Sequence, residues 1–337
     1  MGGIFELQRF HLGHSSTRDP ESGIRGRGSV MADHSVVLHL GAHKTATTYL
    51  QRLFFKNRQL LESDLGFGYV PMFRLRADVT TRLDRADSQP ERSQMVEALR
   101  GYGVGLASDG RRVLLSDENL IGDCAEIMRS GKLYPRVLTR LRRLRELLGQ
   151  EPREIWFAVR AYDHFLASAY VEANRHAKEF LSWDATAARV DLSRRRWPQV
   201  LADVRTVFPG ARVRVWAFEQ FVADDRSVIR HLIGEGAARL VYIEEAVRAS
   251  SSADAMRVAE LLSQTLGPAA AASVFAELDA LLPKSATRLG FSPWSDDDKA
   301  AFRRLYEADL QQLGQAGGLE LISVADQVAA PRPTAAI

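Results

Sequence analysis

The sequence predicts an α/β protein in three layers: a parallel sheet covered by helices on both faces, followed by a helical C-terminal portion. Two observations carry this. Short, nearly unbroken apolar runs stand at Val36 to Leu40, Val113 to Leu115, Ile155 to Val159 and Val213 to Ala217, the pattern of strands buried on both faces. Stretches of helical periodicity separate them. A third observation places function at the first strand, which runs directly into Gly41-Ala42-His43-Lys44-Thr45-Ala46-Thr47-Thr48 and then the helical pattern from Tyr49 to Phe54. A strand, a tight turn and a helix start point backbone N–H groups at an anion.

The remaining elements follow in order. Gly66 to Gly110 is rich in Gly, Pro, Arg and Asp and interrupts the alternation, which makes residues 66–110 the candidate lid and acceptor region. Leu133, Val137, Leu141, Leu144 and Leu148 share one helical face, with Arg136, Arg140 and Arg143 elsewhere around the axis as a solvated basic surface. A helical run beginning near Ser193 includes Trp197, Val200, Leu201, Val204 and Val207 and stops at Pro209-Gly210. Past residue 223 the chain reads as mostly helical. Ser295-Asp296-Asp297-Asp298 predicts a capped helix start ahead of Phe302, Leu305, Tyr306 and Leu310, with Gly314 at its end.

Composition narrows the function classes. The 337 residues are 46% hydrophobic and can bury a large core. With 45 basic against 42 acidic residues the net charge is only +3, so nucleic acid is not implied. One cysteine, Cys124, excludes an intramolecular disulfide framework and a cysteine-rich zinc site, and it fits a reducing cytoplasm. No run of 18 apolar residues marks a transmembrane helix, and the first 30 residues lack the apolar core of a secretory signal. The expected organisation is a disordered extension over residues 1–32, a single α/β domain over 33–325 and a disordered tail over 326–337, with Met31 as an alternative start.

The loop at Gly41 suits a multiply charged ligand, since Lys44 supplies charge and Thr45, Thr47 and Thr48 supply donors. It is not the loop of nucleotide triphosphatases. Their G-x-x-x-x-G-K-[ST] pattern puts Gly-Lys where this chain has Ala46 and Thr47. His43-Lys44-Thr45-Ala46-Thr47-Thr48 instead resembles the 5′-phosphosulfate loop, of H-K-T-G-T-T type in bacteria, of sulfotransferases that use 3′-phosphoadenosine 5′-phosphosulfate (PAPS). A second motif agrees. In that family the 3′-phosphate is held by an arginine at a strand end and a serine eight residues later on the next helix, and Arg160 and Ser168 have that spacing. The likeness covers residues 35 to 60 and 111 to 222 best. Two departures are Ala46 in place of the loop glycine and Ala161-Tyr162 in place of an acidic or Asn-Pro pair.

The resemblance implies a fold like that of the P-loop nucleotide triphosphatases and transfer of a sulfuryl group from PAPS to an acceptor hydroxyl, with a carbohydrate or glycolipid the leading acceptor. It places Gly41, Lys44, Thr45, Ala46, Thr47 and Thr48 around the 5′-phosphate and Arg160 and Ser168 at the 3′-phosphate. Lys44 would stabilise the departing oxygen, and no metal is required. The proton acceptor is expected at the end of the second of these apolar runs, where Ser116-Asp117-Glu118-Asn119 follows Leu115. Glu118 is the first choice, Asp117 the second and His43 the third. The same Asp-Glu pair fits a rival reading, a kinase or nucleotide hydrolase with a magnesium site. A non-catalytic relative that keeps the nucleotide pocket is a third reading.

Overall fold

A computed structural model describes residues 35–105, 111–244 and 251–323; the expected N-terminal extension and C-terminal tail lie outside the described residues. The chain begins with β1 (Ser35–His39), α1 (Thr47–Lys56), α2 (Arg58–Ser63), β2 (Phe67–Val70), α3 (Met72–Asp78), a 3-10 turn (Thr80–Arg85) and α4 (Gln89–Gly101). Next come β3 (Arg112–Ser116), a 3-10 turn (Glu118–Ile121), α5 (Cys124–Ser130), α6 (Val137–Leu148), β4 (Glu154–Val159), α7 (Tyr162–Arg175), α8 (Trp183–Ala187) and α9 (Trp197–Val207). The last third holds β5 (Arg212–Ala217), α10 (Phe218–Ala223), α11 (Asp225–Ile233), a 3-10 turn (Glu235–Arg239), α12 (Ala253–Leu266), α13 (Pro268–Leu281), α14 (Asp296–Gln315) and β6 (Leu319–Leu321).

The strands form one six-stranded sheet in the order β2-β3-β1-β4-β5-β6, every pair parallel. Alternation along each strand divides the core in two. Val36, Leu38, Ile155, Phe157, Val213 and Val215 face the side covered by α5, α6, α7 and α9. Val37, Leu114, Trp156, Ala158 and Trp216 face α1 and α11. Each large apolar side chain so buried contributes about 1.5–3 kcal/mol, enough in sum to hold both helical layers on the sheet. This sandwich fixes the carboxyl ends of β3, β1 and β4 side by side. From β1 the chain moves to one side, through β2 and β3, and then crosses to β4 on the other. Such a reversal leaves a crevice at the strand ends.

The four strands and the parallel arrangement expected from sequence are present. Two strands were not legible. β2 lies inside the segment read as an interruption; it is four residues long, contains Gly68 and sits at a sheet edge, so no apolar run announces it. β6 has three residues at the opposite edge. The helix expected from Ser193 begins at Trp197, and Leu133 precedes α6. The Ser295 cap forms as expected, with Ser295 Oγ accepting from Asp298 N–H (3.1 Å) and Asp298 Oδ2 accepting from Ser295 N–H (3.1 Å). Gly314 does not end that helix, which runs one residue further to Gln315. Among the described residues no helix is long and apolar enough to cross a membrane.

Candidate functional site

The loop after β1 stays in register with the sheet for three residues, since Leu40 N–H and Ala42 N–H donate to the carbonyls of Trp156 (3.0 Å) and Ala158 (3.1 Å). It then turns sharply. Gly41, Lys44 and Ala46 all have positive φ, at 44°, 64° and 62°. A Cβ on Gly41 would meet Thr47 Cγ2 at 2.4 Å, so the turn closes only around a glycine there. Ala46 takes the left-handed conformation (φ 62°, ψ 22°) that glycine adopts freely, at a cost of about 1–2 kcal/mol. The alanine that departs from the family pattern therefore leaves the turn intact and strained.

Four contacts hold this turn. His43 N–H donates to Tyr134 Oη (2.8 Å), Thr45 Oγ1 donates to the Ala42 carbonyl (2.6 Å), Leu50 N–H donates to the Ala46 carbonyl (3.1 Å) and Arg160 Nη1 donates to the Lys44 carbonyl (2.5 Å). No acceptor among the described residues meets the N–H groups of Lys44 to Thr48. α1 has no acidic residue in its first turn and no side-chain cap at Ala46. Its N-terminus is thus an uncapped cluster of donors at the positive end of a helix dipole. Of the expected phosphate ligands, Thr47 is buried and Thr48 half-buried, while Thr45 is buried with its proton committed to Ala42.

Arg160 leaves the end of β4 and reaches this loop, so the two sequence motifs meet in space. Its guanidinium lies 4.5 Å from the centre of the Phe218 ring. Burial draws it down to about 10, against the opposing pull of Glu219 and Asp163. Its Nε is buried with no hydrogen-bond partner. A desolvated cation with an orphaned donor is what an anion would complete. Ser168 is half-buried on α7, two turns along from its start. The other departure from the family pattern, Tyr162, is a core residue: it stacks on Trp197 at 5.9 Å, its hydroxyl accepts from Trp197 N–H (3.0 Å), and it bonds to buried Asp309.

The carboxylates after β3 separate by environment. Asp117 is fully buried and gripped by Arg76, with Nη2 at 2.6 Å and Nε at 3.3 Å, while Asn119 N–H donates to it at 3.0 Å. Burial nevertheless pushes its carboxyl up. Glu118 keeps an exposed edge, 12% of its side chain, and accepts from Gln51 Nε2 (3.0 Å) and Arg76 Nη2 (3.3 Å). Burial alone would raise it, but His43 and Arg76 outweigh that and hold it below the ordinary glutamate value. Glu118 is an ionised carboxylate near the loop, and Asp117 is the structural member of the pair. Arg76, from α3 in the segment read as a lid, was not anticipated as the residue that divides these roles.

His43 is buried and engaged at both ring nitrogens. With the Asn119 carbonyl turned toward Arg76 (3.1 and 3.2 Å), the Asn119 amide donates to His43 Nε2 at 2.7 Å. In the neutral ring the proton then sits on Nδ1, 3.0 Å from Tyr134 Oη. Such a histidine props the loop and leaves no ring nitrogen for proton transfer. Tyr134 itself is fully buried with φ 43°, a strained backbone spent on placing its hydroxyl under His43. Nothing in the sequence around Tyr134 distinguishes it from a core tyrosine.

Lys44 Nζ lies 3.2 Å from Glu172 Oε2 on α7, and Arg175 meets the same oxygen at 3.1 Å. Burial lowers the Lys44 ammonium, with Glu172 pulling the other way. Cys124 is buried, and burial pushes its thiol well up, away from the thiolate form. Beneath the loop, His39 is buried on Trp216 (5.9 Å) and bonded to Ser116 Oγ (2.8 Å).

With this geometry in hand, comparison with protein-family models, curated proteins and solved structures finds no match to the chain.

Three outcomes are expected. Ala46→Gly relieves the left-handed strain and raises stability by about 1 kcal/mol in urea unfolding, and a loss would contradict the strained turn. Tyr134→Phe leaves the His43 N–H unsatisfied and costs about 1–3 kcal/mol; an unchanged midpoint would remove its anchoring role. Burial draws His39 from 6.5 down to about 4, so the unfolded chain takes up a proton in that window and the folded chain does not. Stability is then full above pH 6.5 and falls on the order of 3 kcal/mol toward pH 4, and His39→Asn should flatten that slope.

Proposed function

We propose that the chain is a PAPS-dependent sulfotransferase. The observation that carries the reading is the Arg160 to Lys44 contact at 2.5 Å, which joins two motifs recognised separately in the sequence around a cluster of open loop N–H groups. The central β1 followed by its loop, within the order β2-β3-β1-β4-β5-β6, fits a P-loop-like fold. Bound at this loop, PAPS would supply an activated sulfuryl group. The N–H groups of Lys44 to Thr48 and the Thr47 and Thr48 hydroxyls are suited to its 5′-phosphate, and Arg160 Nε with Ser168 to the 3′-phosphate.

Lys44 would donate to the oxygen released as the acceptor's bond to sulfur forms and the phosphate's bond to sulfur breaks. Glu118, ionised and partly open, is the group to take the acceptor's hydroxyl proton. Asp117 and His43 are set aside as bases because each is closed in by its partners. A carbohydrate or glycolipid hydroxyl remains the acceptor we favour, in keeping with the family resemblance. The burial of Asp117 beneath Arg76 counts against a kinase or hydrolase that would need it as a magnesium ligand. A non-catalytic relative would bind the nucleotide and turn over no acceptor.

Removing Lys44 or Arg160 tests the site. Lys44→Ala and Arg160→Ala should each weaken binding of 3′-phosphoadenosine 5′-phosphate by about tenfold or more while unfolding stays cooperative. Glu118→Gln should leave that affinity within a few-fold and slow transfer from PAPS by roughly 10²-fold or more. Full activity in the Lys44 or the Arg160 variant would remove the assignment, and transfer abolished by a magnesium chelator would favour the kinase-like reading.

A further inference from the structure

Lys44 is the residue that the proposed reaction asks to meet an anion, and in this structure it already meets one. Glu172 Oε2 stands 3.2 Å from Lys44 Nζ, the distance at which an oxygen of a phosphate or sulfate would stand. The contact is sheltered, with each of the two side chains 18% exposed, so solvent screens it weakly. Glu172 does not depend on Lys44 for compensation. The same oxygen pairs with Arg175 Nη1 at 3.1 Å, and Arg175 is in turn held by Asp279 on α13 (3.1 Å) and by Ser251 Oγ (3.2 Å).

Glu172 also follows Ser168 by four residues on α7, which puts both on one face of that helix. A carboxylate on Lys44 and on the helix face of Ser168 opposes anions unless something overcomes it. We propose that Glu172 is a specificity-determining residue of the loop: a built-in competitor for Lys44 that excludes small single anions and yields only to a ligand carrying two anionic groups. A lone sulfate must displace Glu172 using the loop alone. A bisphosphate or phosphosulfate gains the loop N–H groups and the orphaned Arg160 Nε together, and Glu172 keeps Arg175 when Lys44 turns to the ligand. The identity of the ligand rests on the function proposed above; the competition between Glu172 and an anion for Lys44 does not.

The test uses the full chain and Glu172→Gln, which keeps shape and removes charge. In ligand-free protein, acetylation of Lys44 by acetic anhydride, read by peptide mass spectrometry, should speed up several-fold in the variant, because the amine loses the carboxylate that shields it. In calorimetric titrations, sodium sulfate should bind the variant about tenfold tighter than the native protein, and 3′-phosphoadenosine 5′-phosphate should gain less. Unchanged acetylation together with unchanged or weaker sulfate binding would overturn the proposal. If neither protein binds the bisphosphate, the sulfotransferase reading falls while acetylation and sulfate binding still decide the role of Glu172. Should Glu172→Gln fail to fold, Glu172→Asp, one methylene shorter, should shift both readouts in the same direction, and no shift would overturn the proposal equally.

Discussion

One hydrogen bond, from the Arg160 guanidinium to the Lys44 carbonyl, organises the site. The turn it secures carries positive φ at Gly41, Lys44 and Ala46, two of them residues that resist it. Such a turn persists only where its surroundings over-determine it. Pairing of Leu40 and Ala42 with β4, the Tyr134 hydroxyl beneath His43 and the Thr45 contact to Ala42 supply the other fixed points. The result is a row of N–H groups at the head of α1 that meet no acceptor among the described residues. The same bond turns Arg160 toward the loop, out of water and with one donor unspent.

The charges around this turn are divided among partners rather than pooled. Arg76 takes Asp117 into the core and leaves Glu118 ionised with an open edge. Glu172 faces Lys44 and shares its oxygen with Arg175. Arg160 keeps a buried Nε with no hydrogen-bond partner, and feels Glu219 and Asp163 only at a distance. Under the proposed reading these are three different tasks. Glu118 accepts a proton, Glu172 sets which anions may enter, and Arg160 waits for the second phosphate. Burial makes each pairing matter more than it would on a solvated surface.

Much of this was legible in the sequence because it is local. Unalternating apolar runs mark β1, β3, β4 and β5, and the glycine, lysine and threonines of the turn lie within eight residues. The Ser295 cap is written in four. What stayed hidden comes from contacts between distant segments. Tyr134 lies 91 residues from His43, Arg76 41 residues from Asp117, and Glu172 128 residues from Lys44. No spacing rule joins such pairs, and a buried tyrosine or a helical glutamate has an ordinary place in any core or surface. The edge strands β2 and β6 were missed for a related reason. They are short and owe their form to the neighbour they pair with, not to their own residues.

The most direct measurement is a calorimetric titration of the purified protein with 3′-phosphoadenosine 5′-phosphate and, separately, with ATP and magnesium. Tight binding of the bisphosphate with little heat from ATP is the expected result, since under the proposed reading the turn at Lys44 and the unpartnered Arg160 Nε would each meet one phosphate. Preference for ATP with magnesium, or no binding of the bisphosphate, would contradict it.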